Sequence, residues 1–334
     1  MSDASEKAIK YINEGNFSEA LKIAKKRHGR DDIDSYLTIL DLLIEKEYLP
    51  ALEEKGLYYQ YYDPNHDNGD YGEKYFDRYL EVQPKSINAL CDKAMSQSNK
   101  GKLDEALEYM DTAYEKYDNY SKVEEPRIKK KEVKMGKIEL LIQSKKYEDG
   151  LKQLKDYENQ YGTDEKVIAY KGLLLQKTGN NEESLDYLNQ ALQQEETILV
   201  NNTKGDALYN LKRYKEALKC YNSCIKYESE VTDNLELLTN FNYKAAYCEI
   251  KLGNDEKAIQ YLNKTINMLN EYGRLPKDIE AIYQKCSFKK EELLKQGNVE
   301  DKEFRKSHFL SMKTSIYILI IIIILYIILK ILGY

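Results

Sequence analysis

From Ile33 to Leu49 the apolar residues Ile33, Tyr36, Leu37, Ile39, Leu40, Leu42, Leu43 and Ile44 recur at helical spacing. That density predicts a helix buried on most of its surface. Further on, Gly273-Arg-Leu-Pro276 breaks the chain, and Ile279, Ile282, Tyr283 and Cys286 then share one helical face. Lys289, Lys290, Glu291 and Glu292 make the rest of that segment polar, and Pro276 suits the first turn of a helix. Residues 273–297 therefore read as a last helix with a polar outer side. Residues 298–313 read as a polar, basic spacer that includes Lys302, Arg305, Lys306, His308 and Lys313.

The pattern then changes. From Thr314 to Leu329 no residue is charged and most are Ile or Leu, with Ile316, Ile320, Ile324 and Ile328 among them. The run covers about 24 Å as a helix, against a bilayer core of about 30 Å. Lys330 can carry its ammonium to the far headgroups and recover the missing length. A core helix normally keeps a polar face and this stretch has none, so residues 314–332 are expected to form a single transmembrane helix acting as a tail anchor. The N-terminus, Met1-Ser-Asp-Ala-Ser, has no apolar leader. The bulk of the chain is then expected on the cytosolic side, as the basic flank also implies, and the sequons at Asn16, Asn119, Asn201 and Asn263 would be chance matches.

Between these ends one short pattern returns. It appears as Gly101-Lys-Leu-Asp-Glu-Ala106-Leu-Glu-Tyr109, as Gly179-Asn-Asn-Glu-Glu-Ser184-Leu-Asp-Tyr187 and as Lys212-Arg-Tyr214-Lys-Glu-Ala217-Leu-Lys-Cys220. A fourth copy is Gly253-Asn-Asp-Glu-Lys-Ala258-Ile-Gln-Tyr261, with weaker copies at Gly15–Leu21 and Lys146–Leu151. The recurrence resembles the tetratricopeptide repeat (TPR), a helix–turn–helix unit of about 34 residues. Aligned on the small residue of the second helix, units begin near Ile87, Lys131, Glu165, Ile198 and Thr239, with an irregular one near Glu53 ahead of Pro84. The surplus between the Ile87 and Lys131 units falls around Tyr117–Lys130, and that before Thr239 near Glu228–Leu238.

The resemblance implies a fold: an all-α, TPR-like helical-hairpin solenoid, joined here to one C-terminal transmembrane helix. It implies irregular N-terminal hairpins over 1–85 and TPR-like repeats over 86–272. It also implies which small residues let paired helices approach: Ala94 with Ala106, Gly172 with Ser184, Gly205 with Ala217, and Ala246 with Ala258. The first helices of such units line a concave groove that takes a protein or peptide ligand. By the same resemblance the groove residues are Asn88, Met95, Asn99, Asn202, Asp206, Tyr209, Tyr243, Tyr247 and Lys251. The Lys/Asn pair with which some TPR co-chaperones clamp a carboxylate is absent from the matching positions.

Composition narrows the chemistry. The formal net charge is -6, which gives no bulk attraction to nucleic acid. Trp is absent and Tyr numbers 31, so tyrosine supplies most aromatic packing. The five cysteines contain no CxxC pair and read as small core residues in a reducing compartment. Asp63, Asn65 and Asp67 alternate like calcium ligands, but Asn68 and Lys74 stand where an EF-hand loop needs Gly and Glu. No phosphate loop, HExxH or GxSxG occurs. The expectation is therefore a non-enzyme with no cofactor, metal or small-molecule substrate, whose partners are a protein in the groove and a membrane. An adaptor, receptor or assembly scaffold is the leading reading. A membrane-bound co-chaperone or protein-targeting factor is the alternative, and an organelle-shaping adaptor of the fission type is the third. The endoplasmic reticulum is favoured over the mitochondrial outer membrane.

Overall fold

The computed structural model describes residues 3–29, 32–62, 70–119, 126–227, 235–270 and 277–296. The Asp63–Asp67 loop, Gly273–Pro276, the basic spacer 298–313 and the apolar segment 314–332, with Ile316, Ile320, Ile324, Ile328 and Lys330, lie outside the described residues. Within them the protein is all helix and connection, with no strand. No described helix is long and apolar enough to cross a membrane.

Two compact units divide the chain at Thr178/Gly179. That point lies inside the block that the repeat pattern treats as continuous. The first unit holds α1 (Asp3–Asn13), α2 (Phe17–His28), α3 (Ile33–Glu45), α4 (Leu49–Tyr61) and α5 (Asp70–Val82). It continues with α6 (Ile87–Asn99), α7 (Leu103–Lys116), α8 (Lys130–Gln143), α9 (Tyr147–Tyr161) and α10 (Glu165–Lys177). The second holds α11 (Asn181–Gln194), α12 (Ile198–Asn210), α13 (Tyr214–Lys226), α14 (Leu235–Lys251), α15 (Asp255–Asn270) and α16 (Lys277–Lys295). Helices α6, α10 and α12 start at the residues where the repeat alignment begins a unit. Helix α14 starts four residues before Thr239 and absorbs part of the surplus there.

Six of the helix pairs are closed by the same turn. Gly15, Glu47, Gly101, Lys145, Lys212 and Gly253 sit at φ of 74, 58, 74, 59, 60 and 75°. The residue after each donates its N–H back to a carbonyl in the last helical turn, as Lys102 does to Gln97 at 2.9 Å and Arg213 to Leu208 at 2.8 Å. This Schellman arrangement satisfies the orphan carbonyls of the first helix and launches the second at once. Four of the described helices that begin a pair start differently, with a side-chain cap. Asp32, Ser86, Asp164 and Thr197 accept from the N–H of Ser35, Ala89, Val167 and Val200.

Small residues then set how closely paired helices approach. Ala94, Ala106, Ser184, Ala217, Ala246 and Ala258 are fully buried, and Gly172 and Gly205 are buried too. A Cβ on Gly205 would lie 2.6 Å from the Tyr221 ring, and one on Gly56 2.5 Å from Phe76. In the α8–α9 pair Ile138, not a small residue, holds the first position. A Cβ on Gly150 of α9 would lie 3.7 Å from Leu141 of α8, and Gly150 makes its tightest room for α10, whose Leu174 that Cβ would meet at 3.0 Å. Around these contacts lie fully buried leucines such as Leu43, Leu174 and Leu188. Each contributes about 2 kcal/mol by leaving water.

Helix α4 serves two pairs. It follows α3 through the recurrent turn and also packs along α5. Ala51, Leu52, Glu53, Lys55, Gly56 and Tyr58 are all buried, so no polar stripe remains. Lys55 pairs with Asp41 of α3, and Tyr36 of α3 donates to the Glu54 carbonyl at 3.3 Å. Tyrosine does the aromatic packing here: Tyr36 stacks on His28 at 4.9 Å and meets Tyr58 edge-on at 5.5 Å. Between α5 and α6, Glu73 accepts from Lys93, Lys100 and Gln97, and Lys93 also reaches Asp77. All five cysteines are buried and unbridged.

Two outcomes follow for stability. The turns should respond to substitution with opposite signs. Gly253→Ala should cost about 1 kcal/mol in denaturant unfolding, whereas Lys212→Gly should be neutral or stabilising by up to about 1 kcal/mol, because only the second relieves a left-handed residue of its Cβ. Glu73 gives an acid signature. Burial opposes its charge, but Lys100 and Lys93 more than offset this and bring the carboxyl from 4.5 down to about 2. A lowered folded-state value means stabilisation that is present above the ordinary carboxylate range and is lost as pH falls through 4.5 toward 2. Glu73→Gln should lose about 1–2 kcal/mol at neutral pH, after allowance for solvent screening, and should unfold with a shallower dependence on pH below 4.5.

Candidate functional site

In the first unit α4, α6, α8 and α10 present one wall each to a cavity of about 520 Å³. Met110, Met135 and Tyr157 are its buried floor. Gly136 keeps space beside that floor, since a Cβ there would stand 3.2 Å from the Met110 methyl. At the mouth two large apolar groups face solvent, Tyr61 at 53% exposure and Met95 at 45%. Methionine has three rotatable bonds and a polarisable sulfur, so such a lining adapts to the shape of what lies on it.

The polar side of the cavity is organised by one residue of the α7–α8 connection. Arg127 donates its backbone N–H to Asn88 Oδ1 at 2.9 Å. Its Nη2 donates to Asp92 Oδ2 at 2.8 Å, and its Nε lies 2.5 Å from Glu53 Oε1. The two carboxylate side chains are 9% and 12% exposed, while that of Arg127 is 45% exposed. Burial works against the guanidinium charge, and Asp92 and then Glu53 more than offset it, so Arg127 stands above its ordinary value. Further along, Glu139 pairs with Lys166 at 2.5 Å and accepts from the Tyr170 hydroxyl at 2.8 Å. Glu132 is engaged by the backbone N–H of Lys129 at 2.8 Å.

One thiol, that of Cys91, also lines the cavity. Burial, and then Asp92, push it up to about 12, so it stays protonated. No group of three or more potential metal ligands occurs among the described residues.

The second unit brings together most of the other residues expected in a groove. Lys244 of α14 reaches across to α12, donating to Asn202 Oδ1 at 2.8 Å and to both oxygens of Asp206 at 2.7 and 3.0 Å. Asp206 also accepts from the Tyr221 hydroxyl at 2.8 Å. Tyr243 donates to the Tyr247 hydroxyl at 3.1 Å, with ring centroids 4.7 Å apart. Asn202 and Asp206 are thus occupied in joining two helices, Tyr209 is half-buried, and Lys251 is exposed.

In the first unit Asn88 is buried and serves as an acceptor for the Arg127 backbone, while Met95 and Asn99 are exposed. Arg127, Glu53 and Lys244 were not among the expected site residues. The surplus of chain around Tyr117–Lys130 was the one available signal for Arg127. Nothing local distinguishes Lys244 from any helix-surface lysine.

Comparison with known proteins agrees with this architecture. Residues 200–230 and residues 242–268 each match a family model described as tetratricopeptide repeat. A tetratricopeptide repeat protein from Parabacteroides merdae ATCC 43184 is similar over 85% of this chain and 98% of its own, at 13% identity and a TM-score of 0.50. A chain of the APC/C Cut9–Hcn1 hetero-tetramer is similar over 81% of this chain at 14% identity and a TM-score of 0.50, and this chain spans about half (52%) of that one. At such identities the likeness concerns the fold alone. No curated protein matches the sequence. Over its described residues the chain is all-α and built of TPR-like helical hairpins, and two of its segments, 200–230 and 242–268, match tetratricopeptide repeats.

Proposed function

We propose that this protein is an adaptor, receptor or assembly scaffold that docks a protein partner in the groove of its first unit while held at a membrane by residues 314–332. The observation that carries the docking half is the cavity of about 520 Å³ with Tyr61 and Met95 exposed at its mouth over a methionine floor. Large apolar groups left in water at the rim of a cleft mark a contact surface. The helical grain of the walls suits a partner segment lying across several parallel helices. Hairpin repeats generally offer binding surfaces, and at this cleft Glu53 and Asp92 are paired with Arg127 and Glu139 with Lys166.

The membrane half rests on the apolar run from Thr314 to Leu329 and its basic flank. Charge bias of this kind leaves the helical units on the cytosolic side, and the endoplasmic reticulum is the membrane we favour. Confinement to a surface raises the effective concentration for partners on that membrane, so modest groove affinity would suffice.

Each half has its own test. A photo-crosslinking residue at Met95 of the full chain should capture a protein partner, one at the outward Lys152 should not, and Met135→Arg should abolish capture at Met95. Equal capture at both positions would remove the groove from the reading. A fluorescent protein fused upstream of residues 307–334 should light the endoplasmic reticulum, and a diffuse cytosolic signal would end the membrane assignment.

A further inference from the structure

The α7–α8 connection is much longer than the chemistry of joining two helices needs. Thirteen residues, 117–129, separate α7 from α8, whereas α9 reaches α10 through Gly162, Thr163 and Asp164 alone. The surplus includes the stretch that places Arg127 on the groove wall, where its backbone is held by Asn88 and its guanidinium by Glu53 and Asp92. The two carboxylates stand on different helices, α4 and α6, and are close to fully buried. Two acids facing one another on a buried wall repel strongly, so the wall requires a cation between them. A guanidinium meets that need best, because its planar fork donates in two directions at once.

The cation comes from a connection, not from either helix. Its side chain is nearly half exposed although both acids it serves are not. Immediately beside it the apolar cleft opens at Tyr61 and Met95. Over the whole cleft, counting Glu53, five carboxylates face three cations, so the surface remains acidic with Arg127 in place. An acidic, methionine-floored cleft complements a segment that is basic and apolar.

We propose that Arg127 is an internal stand-in for a basic side chain of the partner, and that the first-unit groove takes a protein segment presenting arginine or lysine beside an aliphatic or methionine side chain. The inference rests on the docking reading above and adds to it the partner's chemistry and a competing residue in cis. In the exchange the incoming cation replaces Arg127 between Glu53 and Asp92, so charge on the buried wall is conserved. Its apolar neighbour enters the space over Met110 and Met135. The released Arg127 side chain turns out into water, while the carbonyl of its neighbour Ile128 stays held by the Tyr117 hydroxyl at 2.9 Å. Arg127 therefore sets the fraction of protein that is competent to bind, and with it the apparent affinity.

The test uses the full chain in detergent micelles and a library of random peptides displayed on phage, selected in parallel against the wild type and Arg127→Ala. Selected peptides should be enriched in arginine or lysine next to leucine, isoleucine or methionine. They should bind Arg127→Ala about tenfold more tightly than the wild type, because the internal competitor is gone. Asp92→Asn should weaken them strongly, and Met135→Arg should abolish binding. Circular dichroism on heating checks that each variant folds, and Arg127→Lys keeps the charge should the alanine variant fail to fold; with it the gain should be smaller but of the same sign. Peptides that bind in a Met135-dependent way without basic enrichment, or that bind Arg127→Ala more weakly, would overturn this inference and leave groove docking intact. Peptides insensitive to Met135→Arg, or none at all, would overturn both.

Discussion

A turn of fixed geometry underlies the rest of the molecule. When the last but one residue before the second helix lies in the left-handed region, the chain reverses within three residues and the two helices leave it close together. Only then do buried alanines such as Ala94 and Ala106, or the glycine at 205 under the Tyr221 ring, come into register. Three of the six turns accomplish this without glycine, at Glu47, Lys145 and Lys212. The strain of about 1–2 kcal/mol at such a residue is sustained by the helix–helix packing on either side. Local preference and tertiary packing agree at the glycine turns. At the others packing prevails.

Helices stacked in this way expose the flanks of their first members as a shared wall, and what the wall can do depends on its charges. In the second unit Lys244 spends its charge on Asp206 and Asn202, a cross-link between neighbouring helices that leaves the tyrosines Tyr243 and Tyr247 to shape the surface. In the first unit the corresponding work falls to Arg127, which no helix carries. The two solutions differ in which element supplies the cation. A lysine built into α14 is positioned by its own helix, whereas Arg127 precedes α8 on a connection whose next residue, Ile128, accepts from the Tyr117 hydroxyl at 2.9 Å.

Much of the fold was legible in the chain, for a physical reason. Helical period and turn residues report on short-range structure, and the repeats multiply that report. The starts at Ile87, Glu165 and Ile198 coincide with helix starts because a cap, a period and a small residue all point to the same place. The site was legible only in part. Met95 is exposed and lines the cavity of the first unit, whereas Asn88 is buried and bound to the Arg127 backbone. Periodicity assigns a face relative to a helix's own axis and says nothing about a residue in an aperiodic connection. Nor does it show that Lys244 will meet a carboxylate 38 positions earlier. The double role of α4 escaped for a related reason: a helix that buries charged Glu53 and Lys55 along with its apolar residues has no apolar stripe to read.

That helix has a consequence for where the protein could be divided. Because α4 is covered by α3 on one side and α5 on the other, it has no face fit to become an outer boundary. A shortened chain beginning at Leu49 would open Leu52 and Tyr58 to water and separate Lys55 from Asp41. The three helices before it thus act as the lid of the stack at that end. The smallest self-sufficient piece containing the groove is longer than the groove itself, extending back through α1. Any trimming meant to isolate the binding surface would have to supply a new polar cover for α4.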